Sequence, residues 1–260
     1  LGIHQPYQRE GLSDWETCLF SLKIAVEVVR MSGELNILLV HGAWGDGSHW
    51  RHVIPGLHSK GYHVRAVQNP LTSLPDDIER TSNLAASLEG PVLMVGHSYG
   101  GMVITGAGNA PNVVGLVYIA AFAPDEGENP GGLFGLREPP PGAAIIHPDD
   151  QGFLWLDPDQ FHENFCPDVD ETEALVMALS QKPIAARCFE DKSGSPAWKV
   201  KPSWYQVSAQ DRMIPPETEQ WFAERIQPKN TITLQAGHAP MASHPNEIIE
   251  FIAEAARHVS

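Results

Sequence analysis

The chain has 260 residues, 42% hydrophobic and 19% charged, enough apolar material for a sizeable globular core. A formal net charge of −15 argues against a nucleic-acid partner, whose phosphates need a basic face, and disfavours anionic substrates. Cys18, Cys166 and Cys188 form no CxxC pair or disulfide framework, and no apolar run reaches membrane-spanning length, so a cytoplasmic chain with no membrane partner is expected.

Residues 1–33 read as a helical extension. Ser13 and Glu16 make a capping box, and Trp15, Leu19, Leu22, Val26 and Val29 follow at helical spacing, predicting an amphipathic helix from Asp14 to Arg30. Its stripe would cover its own domain or serve a homodimer. Lys23 and Glu27 break the apolar stretch, unlike a signal peptide. Leu35 to Val40 is a continuous apolar strand of the buried parallel type, ending in the Gly-rich loop His41 to Gly47. A helix is predicted over Ser48–Lys60, a strand over Tyr62–Val67, a helix over Asp76–Leu88, and strands over Pro91–Val95 and Asn112–Ala120. This alternation predicts an α/β fold with a mostly parallel sheet flanked by helices.

The alternation stops at Pro124. Residues 124–202 are rich in Pro, Gly and aromatics, with short helices expected over Asp170–Ser180 and Pro183–Phe189, and read as a cap inserted over the sheet. The pattern resumes with a strand Ser203–Ser208, a helix Pro216–Ile226, a strand Thr231–Gln235 and a helix Pro245–His258. Residues 34–123 and 203–260 would thus form one core around the insertion.

Between the Pro91–Val95 strand and an apolar helical stretch lies Gly96-His97-Ser98-Tyr99-Gly100. Strand, Gly-x-Ser-x-Gly, helix is the nucleophile-elbow pattern, in which glycines allow a sharp turn that lifts a serine above the sheet edge. A serine hydroxyl needs an adjacent base to become a nucleophile. His238, between the last strand and the last helix, comes to the same carboxyl edge as Ser98. The base needs an acid to fix its tautomer; Asp211 gives the chain order Ser…Asp…His, and Asp125, also just after a core strand, is its rival. The oxyanion donors are expected to be the backbone N–H groups of Tyr99 and Ala43. Trp44, Phe122, Phe153 and Trp155 are candidates to line an apolar substrate pocket. No metal site is indicated, since His162-Glu163 has Cys166 where HExxH needs its second histidine, and no Gly-rich phosphate loop points to a cofactor.

With its HGAW loop (His41 to Trp44) and GHSYGG elbow (Gly96 to Gly101), the chain from about Leu35 onward resembles the α/β-hydrolase superfamily. It is similar to small bacterial esterases related to the plant hydroxynitrile lyase and methylesterase branch. The resemblance implies cofactor-free hydrolysis of small-molecule esters through acyl-Ser98. It also leaves open C–C or C–N cleavage of the lyase type, or ligand binding without turnover. Two departures disfavour the lyase: Ala239 replaces the lysine that follows the catalytic histidine in plant lyases, and Gly42 replaces their threonine.

Overall fold

The computed structural model describes residues 34–260, so the Asp14–Arg30 helix expected from sequence lies outside the described residues. The first strand, β1 (Asn36–Val40), is buried at every position, which is why it reads as a continuous apolar run rather than an alternation. The expected Ser48–Lys60 helix is divided into a 3-10 turn, Gly47–Trp50, and a short helix α1 (Ile54–Ser59). Pro55 explains the break, because a residue without an N–H fits a helix only in its first turn. Next come β2 (His63–Ala66) and α2 (Leu74–Ser87). Ser73 caps α2 by accepting from the Asp76 N–H at 3.1 Å, and Asp76 and Asp77 place negative charge at its positive end. Then β3 (Val92–His97), α3 (Gly100–Ala107) and β4 (Val113–Ile119) complete the first half of the sheet.

The chain now leaves the sheet. It forms α4 (Pro130–Phe134), β5 (Ile146–Pro148), β6 (Phe153–Leu156), α5 (Pro158–Phe165), α6 (Glu171–Leu179) and β7 (Ile184–Ala185). β5, β6 and β7 make a small antiparallel sheet that the sequence patterning did not reveal. The expected Pro183–Phe189 helix is instead β7 followed by a 3-10 turn, because Ile184 pairs with Leu154 on β6. β8 (Ser203–Ser208) returns to the main sheet, followed by α7 (Pro216–Ile226), β9 (Asn230–Leu234), α8 (Pro240–Ser243) and α9 (Pro245–Val259).

The main sheet has six strands in the order β2-β1-β3-β4-β8-β9, every neighbouring pair parallel. Progression along the sheet reverses between β1 and β3. The loops leaving their carboxyl ends therefore diverge and open a crevice at that point, where ligands of open α/β sheets bind. Those two loops are the HGAW loop and the Ser98 elbow.

Candidate active site

Ser98 holds φ at 54°, in the left-handed region that costs a non-glycine residue strain. Two glycines permit the turn. A Cβ on Gly96 would meet Gly100 O at 2.6 Å, and one on Gly100 would meet Val40 O at 2.5 Å. The turn is pinned from β4: Ser98 N–H donates to Ile119 O and Phe122 N–H donates to Ser98 O, both at 3.2 Å. The serine thus stands at the amino end of α3 with only 5% of its surface exposed.

His238 follows β9 and reaches back to the serine. Its Nε2 lies 2.8 Å from Ser98 Oγ, and its Nδ1 lies 2.5 Å from Asp211 Oδ2. A carboxylate only accepts, so Nδ1 carries the proton and Nε2 is left as the acceptor for the serine hydroxyl. Asp211 is aimed by its own loop, its Oδ1 accepting from Met213 N–H at 2.6 Å and Ile214 N–H at 2.8 Å. Asp125, the rival acid, does not reach the histidine; its carboxylate is partly exposed and pairs with Lys199 at 2.5 Å. That salt bridge holds Asp125 below its ordinary value, the Lys199 ammonium being the largest cause.

Several supports of the histidine were not legible as such in the sequence. His97, inside the elbow, donates from Nε2 to the His238 carbonyl at 2.6 Å, and burial pushes its basicity well below the usual range. His238 N–H donates to Phe165 O at 3.0 Å, and Gly237 N–H donates to Asp168 Oδ2 at 3.0 Å. Both acceptors belong to the long connection between β4 and β8. Nothing in the pattern around Asp168 marks it, whereas His97 sits inside the motif itself. His41, at the start of the HGAW loop, accepts at Nε2 from Asn69 N–H (3.1 Å) and donates at Nδ1 to Gly42 O (2.9 Å). Burial lowers His41 to about 4 and also lowers the nearby His49 to about 4, so both are neutral near pH 7.

Gly42 lies so close to the nucleophile that a Cβ there would meet Ser98 Cβ at 2.7 Å. Ala43 follows this glycine and Tyr99 follows the serine itself, and their amides are the expected oxyanion donors. Among the described residues neither donates to a protein acceptor. Tyr99 is fixed by its hydroxyl, which donates to Asp77 Oδ2 at 2.8 Å. Burial raises that aspartate to about 6. Trp44 has φ 58° and is clamped by the connection, its Nε1–H donating to Leu154 O at 3.0 Å and its carbonyl accepting from Lys182 N–H at 3.3 Å.

Of the four aromatic pocket candidates, two pack on the aromatic walls of an apolar cavity. Trp44 and Phe122 are buried, and their rings meet Phe189 at 6.1 Å and Phe134 at 5.3 Å. Phe134 and Phe189 are walls of this apolar cavity of about 540 Å³, lined also by Pro140, Ile146 and Leu154, with Glu190 the one charged lining residue among the described residues. Phe153 and Trp155 do not line this cavity. Side chains alternate along β6, so Leu154 faces in while its neighbours face out. Trp155 is 38% exposed and bonds Asp149 at 3.0 Å.

Among the described residues no helix is long and apolar enough to cross a membrane. Nor are three His, Cys, Asp or Glu side chains grouped there to hold a metal ion.

Comparison with known proteins gives this geometry its context. A pyrethroid hydrolase of Sphingobium wenxiniae is 27% identical over 254 residues, covering 84% of this chain and 86% of its own. Methylesterase 8 of Arabidopsis thaliana is 25% identical over 236 residues, covering 81% of this chain and 85% of its own. The crystal structure of a pyrethroid hydrolase from Sphingobium faniae superposes with a TM-score of 0.76 at 23% identity, covering 86% of this chain and 98% of that one. Residues 37–251 match the family model described as the alpha/beta hydrolase family. With that match spanning most of its length, and with a parallel sheet carrying a serine elbow, the chain belongs to the alpha/beta hydrolase family.

Proposed function

We propose that the chain is a carboxylic-ester hydrolase that works through an acyl-Ser98 intermediate. The observation that carries the reading is the unbroken relay Ser98 Oγ–His238 Nε2 at 2.8 Å and His238 Nδ1–Asp211 Oδ2 at 2.5 Å. His238 takes the hydroxyl proton as Ser98 attacks the ester carbonyl, and Asp211 stabilises the imidazolium that results. The Ala43 and Tyr99 amides receive the oxyanion. The tetrahedral intermediate collapses, and His238 returns the proton to the departing alcohol. Water, deprotonated by the same histidine, then releases the acid and restores the serine.

Residues 124–202 act as a cap over this centre, supported by the Trp44 and His238 hydrogen bonds they make. The apolar cavity beside Trp44 and Phe122 takes the hydrophobic part of the substrate, which favours neutral small-molecule esters of modest size. The names of two relatives, pyrethroid hydrolase and methylesterase, support the same reaction class. The exposed aliphatic row Leu175, Val176 and Leu179 on α6 supports a homodimer, which light scattering tests directly. Two buried free thiols, Cys166 and Cys188, support a reducing, cytoplasmic setting.

The test is Ser98→Ala assayed on p-nitrophenyl esters of increasing acyl length. A loss in kcat on the order of 10⁴–10⁶, with an unchanged circular dichroism spectrum, is expected. Retention of more than about a tenth of the activity sinks the mechanism.

A further inference from the structure

Behind the acid of the relay lies a second carboxyl group that the mechanism does not use. Glu219 sits in the first turn of α7 and has no exposed surface. One carboxyl oxygen, Oε2, accepts from the backbone N–H of Ser208 at 2.8 Å. The other, Oε1, meets no N–H or hydroxyl donor among the described residues, and the Glu219 carboxyl is within hydrogen-bonding reach of the Asp211 side chain. Both carboxyls are enclosed, and the titratable groups facing Glu219 are Asp211 itself and Tyr205. The Tyr205 hydroxyl is already committed to the carbonyl of Ala121.

Two buried carboxylates in contact cannot both carry charge without a cation between them. The hydrogen bonds decide which one does. Asp211 accepts two backbone N–H groups and the His238 Nδ1–H, three donors that favour an anion. Glu219 accepts one. The proton therefore belongs on Glu219, and its bare Oε1 is the oxygen that can hold it, with Asp211 the acceptor within reach. We infer that Glu219 is a positioning residue for the triad: a neutral carboxylic acid whose O–H donates to Asp211, holding that carboxylate in place as a single negative charge opposite His238. Burial first, and the Asp211 charge second, push Glu219 well above the usual carboxylate range, in keeping with that state.

The inference rests on the Ser98–His238–Asp211 reading, and the test keeps the two apart. It uses the full chain and the pH dependence of kcat/KM on one p-nitrophenyl ester. Glu219→Gln preserves both bonds, an amide oxygen for Ser208 N–H and an amide N–H for Asp211, and cannot ionise. It is expected to keep activity within about threefold, with the acidic limb of the profile unmoved. A charged Glu219 would instead be lost as a negative charge near the histidine, and the acidic limb would fall by about half a unit or more. That outcome overturns the inference. Glu219→Leu removes the donor to Asp211 and is expected to lower kcat/KM about tenfold and raise the acidic limb. Circular dichroism checks its fold, and the Gln variant decides the matter if the Leu variant does not fold. A Leu variant that folds with wild-type rate and profile also overturns it. Residual activity in Ser98→Ala would remove the underlying mechanism, whereas an inactive Ser98→Ala beside an indifferent Glu219→Leu removes this inference alone.

Discussion

Asp211 and Asp125 both follow core strands, and what distinguishes them is the company of each carboxylate. Asp211 is enclosed between two backbone amides and the His238 ring, while Asp125 faces solvent and Lys199. An Asn at 211 cannot stabilise an imidazolium and favours the wrong tautomer, a defect worth about 10⁴ in rate in serine hydrolases. Asp211→Asn is therefore expected to lose several orders of magnitude in kcat. Asp125→Asn removes an exposed ion pair and should stay within about threefold. Steady-state kinetics of both variants on one short-chain ester checks this, and a reversed order would move the acid to Asp125. Ser98, His238 and the preference for Asp211 were readable in the sequence because motif spacing and chain order carry them. Glu219 was not, since a Glu in a first helical turn ordinarily faces solvent, and only the packing of α7 on β8 encloses this one. Phe153 and Trp155 fall outside the apolar cavity for a related reason: aromatic identity says nothing about which face of β6 a residue occupies.

At the scale of elements, the HGAW loop depends on a strand far from it in sequence. Trp44 keeps a left-handed backbone because its indole N–H holds Leu154 on β6 and its carbonyl holds Lys182. Ala43 is the residue just before it, so slack at Trp44 is slack in a proposed oxyanion donor. Trp44→Phe keeps the ring and loses the bond, at a cost of about 1 kcal/mol. The expected signature is kcat down about tenfold with KM within about twofold, because the oxyanion exists only after attack begins. A variant with KM raised and kcat unchanged would show that Trp44 serves substrate binding instead. The strands and helices of the parallel core were legible from apolar runs and 3.6-residue spacing. The β5–β7 sheet was not, because its strands are two to four residues long and their pairing is set by distant partners.

For the molecule as a whole, the buried histidines set an acid limit. His41 and His49 fall to about 4 when folded against an ordinary 6.5. A lowered histidine binds fewer protons folded than unfolded, so the stability it gives is complete above 6.5 and is lost as pH falls from there to about 4. Asp77, raised to about 6, acts in the opposite sense and gains stability as pH falls through the same range. Glu219, raised by its burial, acts with Asp77, but the three lowered histidines, His97 included, outnumber the two carboxyls, and urea midpoints are expected to drop between pH 7 and pH 5. His49→Gln, which cannot titrate, should flatten that dependence by about one proton, or about 1.4 kcal/mol per pH unit at most. An unchanged slope would mean that His49 is not neutral in the fold. The first 33 residues bear on a separate question. Every side chain of the proposed relay lies beyond them, so a chain beginning at Met31 is expected to fold and hydrolyse esters, and an inactive or unfolded product would place that segment in the core.

The connection between β4 and β8, the proposed cap, also has a hold on the proposed base. His238 and the glycine before it give their backbone N–H groups to Phe165 and Asp168, both in this long connection. Lifting Phe165–Asp168 would break these two bonds to the histidine loop, so access from this side and a poised base exclude each other. The molecule is in this sense an interlock. If residues 124–202 cap the centre as proposed, a shift of Phe165–Asp168 is expected to idle the chemistry even while the serine stands open to solvent, because the histidine loop then loses both holds.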